Sequence, residues 1–178
     1  MRELKVYKKT VSIVNETAIG MYENVVGKKT GFLLESYDKN YDRYTFFGAQ
    51  PEEIITSEKN SLVITKDDGT KEIRKGNPLE LLKEYYSDFN IIKDNEELSF
   101  SGGLVGNLGY DFVRYAEKLP DNNPDEIGIE TIQLMLMTKF LLVDQEAETL
   151  TAIILEKNDT EGEKRAYELA DELIQKAR

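Results

Sequence analysis

Short β-rich runs that follow one another directly are what most constrain this chain. Ser61 to Lys66 reads SLVITK, Thr70 to Lys75 reads TKEIRK, and only Asp67-Asp68-Gly69 separates them. An Asp-Gly step between such runs supplies the positive φ of a tight hairpin turn, so the segment predicts an antiparallel pair. The arrangement recurs upstream, where Gly31 to Ser36 (GFLLES) and Arg43 to Gly48 (RYTFFG) flank the turn-prone stretch Tyr37 to Asp42, and Pro51 closes the segment. It recurs downstream too: Ile132 to Val143 and Thr149 to Leu155 read as two strands turning at Asp144 to Glu148. Strands that mostly follow strands call for an antiparallel sheet rather than a doubly wound parallel one.

Helical periodicity appears between these pairs. Asn15 to Val26 spaces Ala18, Met21, Tyr22 and Val25 on one face and stops at Gly27. Asn77 can cap a helix that starts with Pro78 and carries Leu79, Leu82 and Tyr86. Phe112 to Leu119 looks helical up to Pro120, and Glu161 to Arg178 is amphipathic, with Ala166, Leu169, Ala170, Leu173, Ile174 and Ala177 on one side. The expected fold class is α+β, a largely antiparallel β-sheet with helices packed against it, and residues 1–178 are expected to form a single domain.

Composition narrows the chemistry. Acidic residues outnumber basic ones 34 to 23, a formal charge of −11, which repels nucleic acid and anionic lipid. With no cysteine and no histidine, the chain can form no disulfide, thiol nucleophile, zinc–thiolate site or Ser-His-Asp triad. No apolar run approaches the roughly 18 residues a membrane span requires, and the N-terminal MRELKVYKKTVSIV is not a signal peptide. A soluble, cytoplasmic protein that binds and regulates fits this inventory better than a self-sufficient catalyst.

Candidate sites follow from residue type. Gly102 to Gly109 (GGLVGNLG) matches neither dinucleotide nor P-loop spacing, and reads as close backbone packing or bulges. Asp111 and Arg114, three apart, read first as a surface ion pair and second as an anion site. The carboxylate clusters Glu52-Glu53, Asp67-Asp68, Glu96-Glu97 and Glu146/Glu148 lack calcium-loop spacing and read as solvated turns, so no metal site is expected. Glu35 and Ser36 end a buried-looking strand, where a carboxylate suits an ammonium and a hydroxyl orients a ligand, while Arg43 can meet a carboxylate in a bidentate contact. These three could recognise a zwitterion such as an amino acid. An ordinary ion pair between Glu35 and Arg43 is the simpler expectation.

Taken together, FLLES (Phe32 to Ser36), RYTFFG, GGLVGNLGYDFVRYAEKLP (Gly102 to Pro120) and the later IQLMLMTKFLLVD resemble the N-terminal part of anthranilate synthase component I, in the family's order and over residues 8–178. That family makes anthranilate from chorismate for tryptophan synthesis. The resemblance implies a regulatory portion whose catalytic domain, with its Mg2+ and catalytic residues, lies outside this sequence, so the chain should hold no catalytic residue or cofactor and be inactive alone. It implies L-tryptophan as feedback inhibitor at Leu34, Glu35 and Ser36, with Arg43 and Tyr44 on the strand beside them. It also implies packing on the C-terminal catalytic domain of the same polypeptide and assembly with a glutamine amidotransferase subunit. Asn107, Ala116 and Met137-Thr138 depart from the family's usual residues, which keeps aminodeoxychorismate synthase component I open as the parent, alongside a purely structural interaction domain.

Overall fold

The apolar runs become strands of two sheets rather than one. The structure, a computed structural model, describes residues 1–35, 43–92, 98, 100–120 and 128–178. Among them the strands are Arg2–Ser12 (β1), Gly31–Glu35 (β2), Tyr44–Ala49 (β3), Glu53–Ser57 (β4), Ser61–Lys66 (β5), Lys71–Lys75 (β6), Phe89–Ile92 (β7), Gly103–Leu108 (β8), Ile132–Met137 (β9), Lys139–Asp144 (β10) and Thr149–Glu156 (β11). The helices are Ala18–Val25 (α1), Pro78–Ser87 (α2) and Thr160–Ala177 (α3). A six-stranded sheet runs β2-β3-β10-β11-β1-β7 and a five-stranded sheet runs β6-β5-β4-β9-β8. Neighbours are antiparallel except for β1 and β7, which pair in parallel. The fold is α+β, and no described helix is long and apolar enough to cross a membrane.

Several expected elements form, the hairpin turn and the Asn77 cap with the expected chemistry, while the caps of the other two helices come from residues not singled out in the sequence. The Asp67-Asp68-Gly69 turn joins β5 to β6, Gly69 takes φ +82°, and Asp68 accepts the Thr70 amide at 2.8 Å. Thr17 caps α1, Asn77 caps α2 by accepting the Leu79 amide at 2.9 Å, and Asp159 caps α3 by accepting the Gly162 amide at 2.7 Å.

Three expectations change. The run from Ile132 to Val143 is two strands, because the chain passes from the five-stranded sheet to the six-stranded one at Thr138, whose carbonyl accepts the Leu155 amide at 2.7 Å. The expected helix at Phe112 to Leu119 is a short 3-10 turn, Tyr110–Tyr115. Strands β1, β4 and β7 carry no clean alternation in the sequence: β1 has four basic residues and is held by β11 and β7 on its two sides.

Three apolar clusters give the layer order. Val25, Phe47, Leu141, Ile154, Ala166 and Ala170 join α1 and α3 to one face of the six-stranded sheet. Phe32, Phe46, Phe140, Leu142 and Ile153 fill its other face and meet Val105 and Met135 of the five-stranded sheet. Ile55, Leu62, Ile132 and Leu134 cover the outer face of that second sheet, with Tyr85 of α2 above them. The helices α1 and α3, the two sheets and α2 therefore stack in that order, the sheets sharing a phenylalanine-rich core in which Phe100 and Phe140 have ring centroids 4.9 Å apart.

The glycine-rich run serves packing. Gly106 sits in β8 at φ +154°, and a Cβ there would lie 2.1 Å from the Gln133 carbonyl oxygen of β9. Only glycine allows that approach.

Candidate functional site

Strand β2 forms one edge of the six-stranded sheet, and its end carries the residues singled out in the sequence. Its register with β3 pairs Leu34 with Phe46 and Glu35 with Thr45. Alternation then fixes the faces. Leu34 and Tyr44 lie on the side of Phe32 and Phe46, towards the core between the sheets, and Glu35 lies on the opposite side with Leu33 and Phe47. Leu34 is 46% exposed, unusual for a leucine in a strand beside a filled core. Tyr44 is half-buried, its ring 6.3 Å from that of Phe46. Ser36 lies outside the described residues, as do Glu96-Glu97.

Arg43 does not pair with Glu35. Its guanidinium bonds Asp144 at 2.8 Å and Glu146 at 3.0 Å, and lies 5.1 Å from the centre of the Tyr44 ring. The hydrogen bond to Glu146 pushes the Arg43 guanidinium above its usual value. Asp144 is buried and is itself held, accepting the amides of Glu146 and Ala147 at 3.1 Å. The reason for the different partner is topological: Tyr44 pairs with Asp144 of β10, so the turn after β10 meets the start of β3. The structure thus brings Leu34, Tyr44 and Arg43 to one sheet edge and turns the Glu35 side chain away from them.

Other candidates resolve simply. Arg114 bonds Asp111 at 2.7 Å and the Pro120 carbonyl at 2.8 Å, beside a cleft of about 800 Å³ that also contains Ser57 and Glu58. Asp67 and Asp68 lie in an exposed turn, as expected, but Glu53 does not. It is 4% exposed and joins Arg2 of β1, at 3.0 Å, and the Tyr85 hydroxyl of α2, at 2.5 Å. Arg2 also lies 4.7 Å from the Phe89 ring centre. Burial alternates along this strand at Glu53, Ile55 and Ser57, but the residue types do not, so the sequence carried no signal for it. Among the described residues no three carboxylates converge in a way that would hold a metal ion.

These features define a class: a two-sheet α+β unit with an exposed leucine at its β2 edge and no carboxylate cluster fit for a metal among the described residues. No family profile matches the chain. It is 30% identical over 96% of its length to anthranilate synthase component 1 of Bacillus caldotenax, covering 34% of that protein. To the same protein of Acetivibrio thermocellus it is 29% identical over 78% of its length, covering 28% of that protein. The crystal structure of anthranilate synthase component I from Streptococcus pneumoniae TIGR4 shares the fold, with a TM-score of 0.54 and 22% identity over 92% of this chain and 36% of that one. The resemblance carried by the motifs therefore extends along nearly the whole chain, which spans about a third of the length of the relatives it matches.

Proposed function

We propose that this chain is the N-terminal regulatory portion of anthranilate synthase component I, that it begins the tryptophan feedback pocket at the β2 edge, and that it packs on the catalytic domain. The observation that carries the reading is the similarity over 96% of the chain to about a third of a component 1. The β2 edge is compatible with it. Exposed Leu34 and half-buried Tyr44 on one face offer apolar contact to an indole. The strand-end backbone at Glu35 is placed to accept from an ammonium, Ser36 orients the ligand, and Arg43 lines the rim. Tryptophan bound between this portion and the catalytic one favours a state less able to use chorismate, each ligand weakening the other by roughly 1–3 kcal/mol of coupling. On this reading the chain is a cytoplasmic part of a lyase assembled with a glutamine amidotransferase subunit, and Mg2+ belongs to the catalytic domain.

The test is a titration of the isotope-labelled chain with L-tryptophan, then with the catalytic domain added, using L-phenylalanine as control. Saturable amide shifts at Leu34, Glu35 and Tyr44 for tryptophan alone are expected. Shifts elsewhere, or none with both portions present, sink the pocket. In the full-length enzyme Ser36→Phe should abolish inhibition and leave the uninhibited rate intact.

An interaction domain is the second reading, favoured by Leu108, Tyr110 and Ile129, exposed to 46%, 95% and 60%, at the free β8 edge. It predicts tight association with the catalytic domain and no response to tryptophan. Neither reading gives this chain catalysis alone, so anthranilate formation from chorismate and ammonia by the isolated chain would overturn both.

A further inference from the structure

At the opposite end of β3 and β10 from Arg43 and Asp144, lysines from three elements gather. Lys29 follows α1, Lys139 begins β10 and Lys176 lies in the last turn of α3. Lys139 and Lys176, with Gln50 and Glu172, line a cavity of about 120 Å³, and Lys29 reaches its rim at Gln50. The Lys29 ammonium is 3.5 Å from the Gln50 side-chain oxygen, on the same side of the fold as Lys176. Among the described residues none of the three lysines forms an ion pair with a carboxylate, although acids outnumber bases 34 to 23. Lys176 donates to the Val25 carbonyl at 2.9 Å. That satisfies one of its N–H groups and neutralises no charge.

We propose that Lys29, Lys139 and Lys176 form a binding site for a small oxyanion of phosphate or carboxylate chemistry. Like charges held close by three separate elements disfavour one another's charged form, and an anion between them relieves that repulsion. The repulsion acts on Lys176, whose ammonium is pushed down to about 8 by Lys29, by burial and by Lys139. An oxyanion in the cavity accepts from ammonium groups that have N–H donors to spare. Glu172 lines the same cavity and opposes the anion, so binding is weak and Glu172→Gln strengthens it. The site lies at the opposite end of β2 from Leu34 and Glu35 and does not depend on the tryptophan reading.

The experiment titrates the full chain with inorganic phosphate just below pH 8, at ionic strength held constant with chloride, and follows lysine side-chain NMR signals. Saturable shifts at Lys29, Lys139 and Lys176, with a rise in the Lys176 pKa, are expected. Lys139→Gln and Lys176→Gln, each checked for folding by circular dichroism, should weaken binding on the order of tenfold, and Lys71→Gln should not. Acetate in a parallel arm tells a phosphate from a carboxylate preference, and saturation by either supports the site. Shifts that rise linearly with both anions, or variants that bind as the parent does, overturn it.

Discussion

A carboxylate that is 4% exposed needs partners for its oxygens, and Glu53 finds them outside its own strand. Arg2 lies 3.0 Å from one oxygen and the Tyr85 hydroxyl 2.5 Å from the other, so the three residues tie β1, β4 and α2 together. Tyr85→Phe keeps the ring and deletes the donor, and should cost about 1–3 kcal/mol in urea unfolding. Arg2→Met should also destabilise, less than for a fully buried pair because the Arg2 side chain is 40% exposed. The double variant should cost less than the sum, since both changes abandon the same carboxylate. Strict additivity would mean that the three residues do not act as a network. Burial, and then Glu53, push the Tyr85 hydroxyl far above the ordinary tyrosine value. A raised folded-state value stabilises the fold below about pH 10, where free tyrosine is protonated, and that stability is lost as pH climbs above it. The loss should be smaller in Tyr85→Phe, as measured by unfolding midpoints across alkaline pH.

Strand β8 shows how an element depends on one small residue. Its register sets Gly106 opposite Leu134, close enough that a Cβ would lie 2.9 Å from the Leu134 Cα as well as 2.1 Å from the Gln133 oxygen. Gly106→Ala should cost about 1–3 kcal/mol from backbone strain alone, and faster amide exchange in β8 and β9 should accompany it. Unchanged exchange would show that β8 relaxes without loss. The same run is glycine-rich without phosphate-loop spacing, and Gly106 in it faces the backbone of β9. Element types were legible where periodicity and caps are local, as in α2, α3 and the β5–β6 hairpin. They were hidden in β1, where charged residues alternate poorly and two flanking strands supply the order.

At the scale of the molecule, one chain crossing decides how the layers join. β9 leaves the five-stranded sheet and β10 enters the six-stranded sheet with Thr138 alone between them. The phenylalanine-rich cluster then spans both sheets. The reading of residues 1–178 as a single domain predicts one cooperative unfolding transition. Amide signals from β5 in one sheet and β11 in the other should lose intensity at the same urea concentration. Two separated midpoints would divide the chain into two folding units.

Some of this was settled by the order of residues alone. Strand follows strand, the Asp-Gly turn closes a hairpin, a cap begins α2, an amphipathic stripe marks α3, and a chain without histidine or cysteine excludes whole classes of chemistry. These signals act within a few residues, so no tertiary contact is needed to read them. The tertiary structure alone decided which sheet each strand joins, that Glu53 is buried, that Arg43 pairs with Glu146, and that Lys176 meets the end of α1. The last three rest on contacts between residues 51, 103 and 151 positions apart. Pairings at such separations leave no periodicity in the chain, because they are selected by how the layers stack and not by the neighbours of either residue.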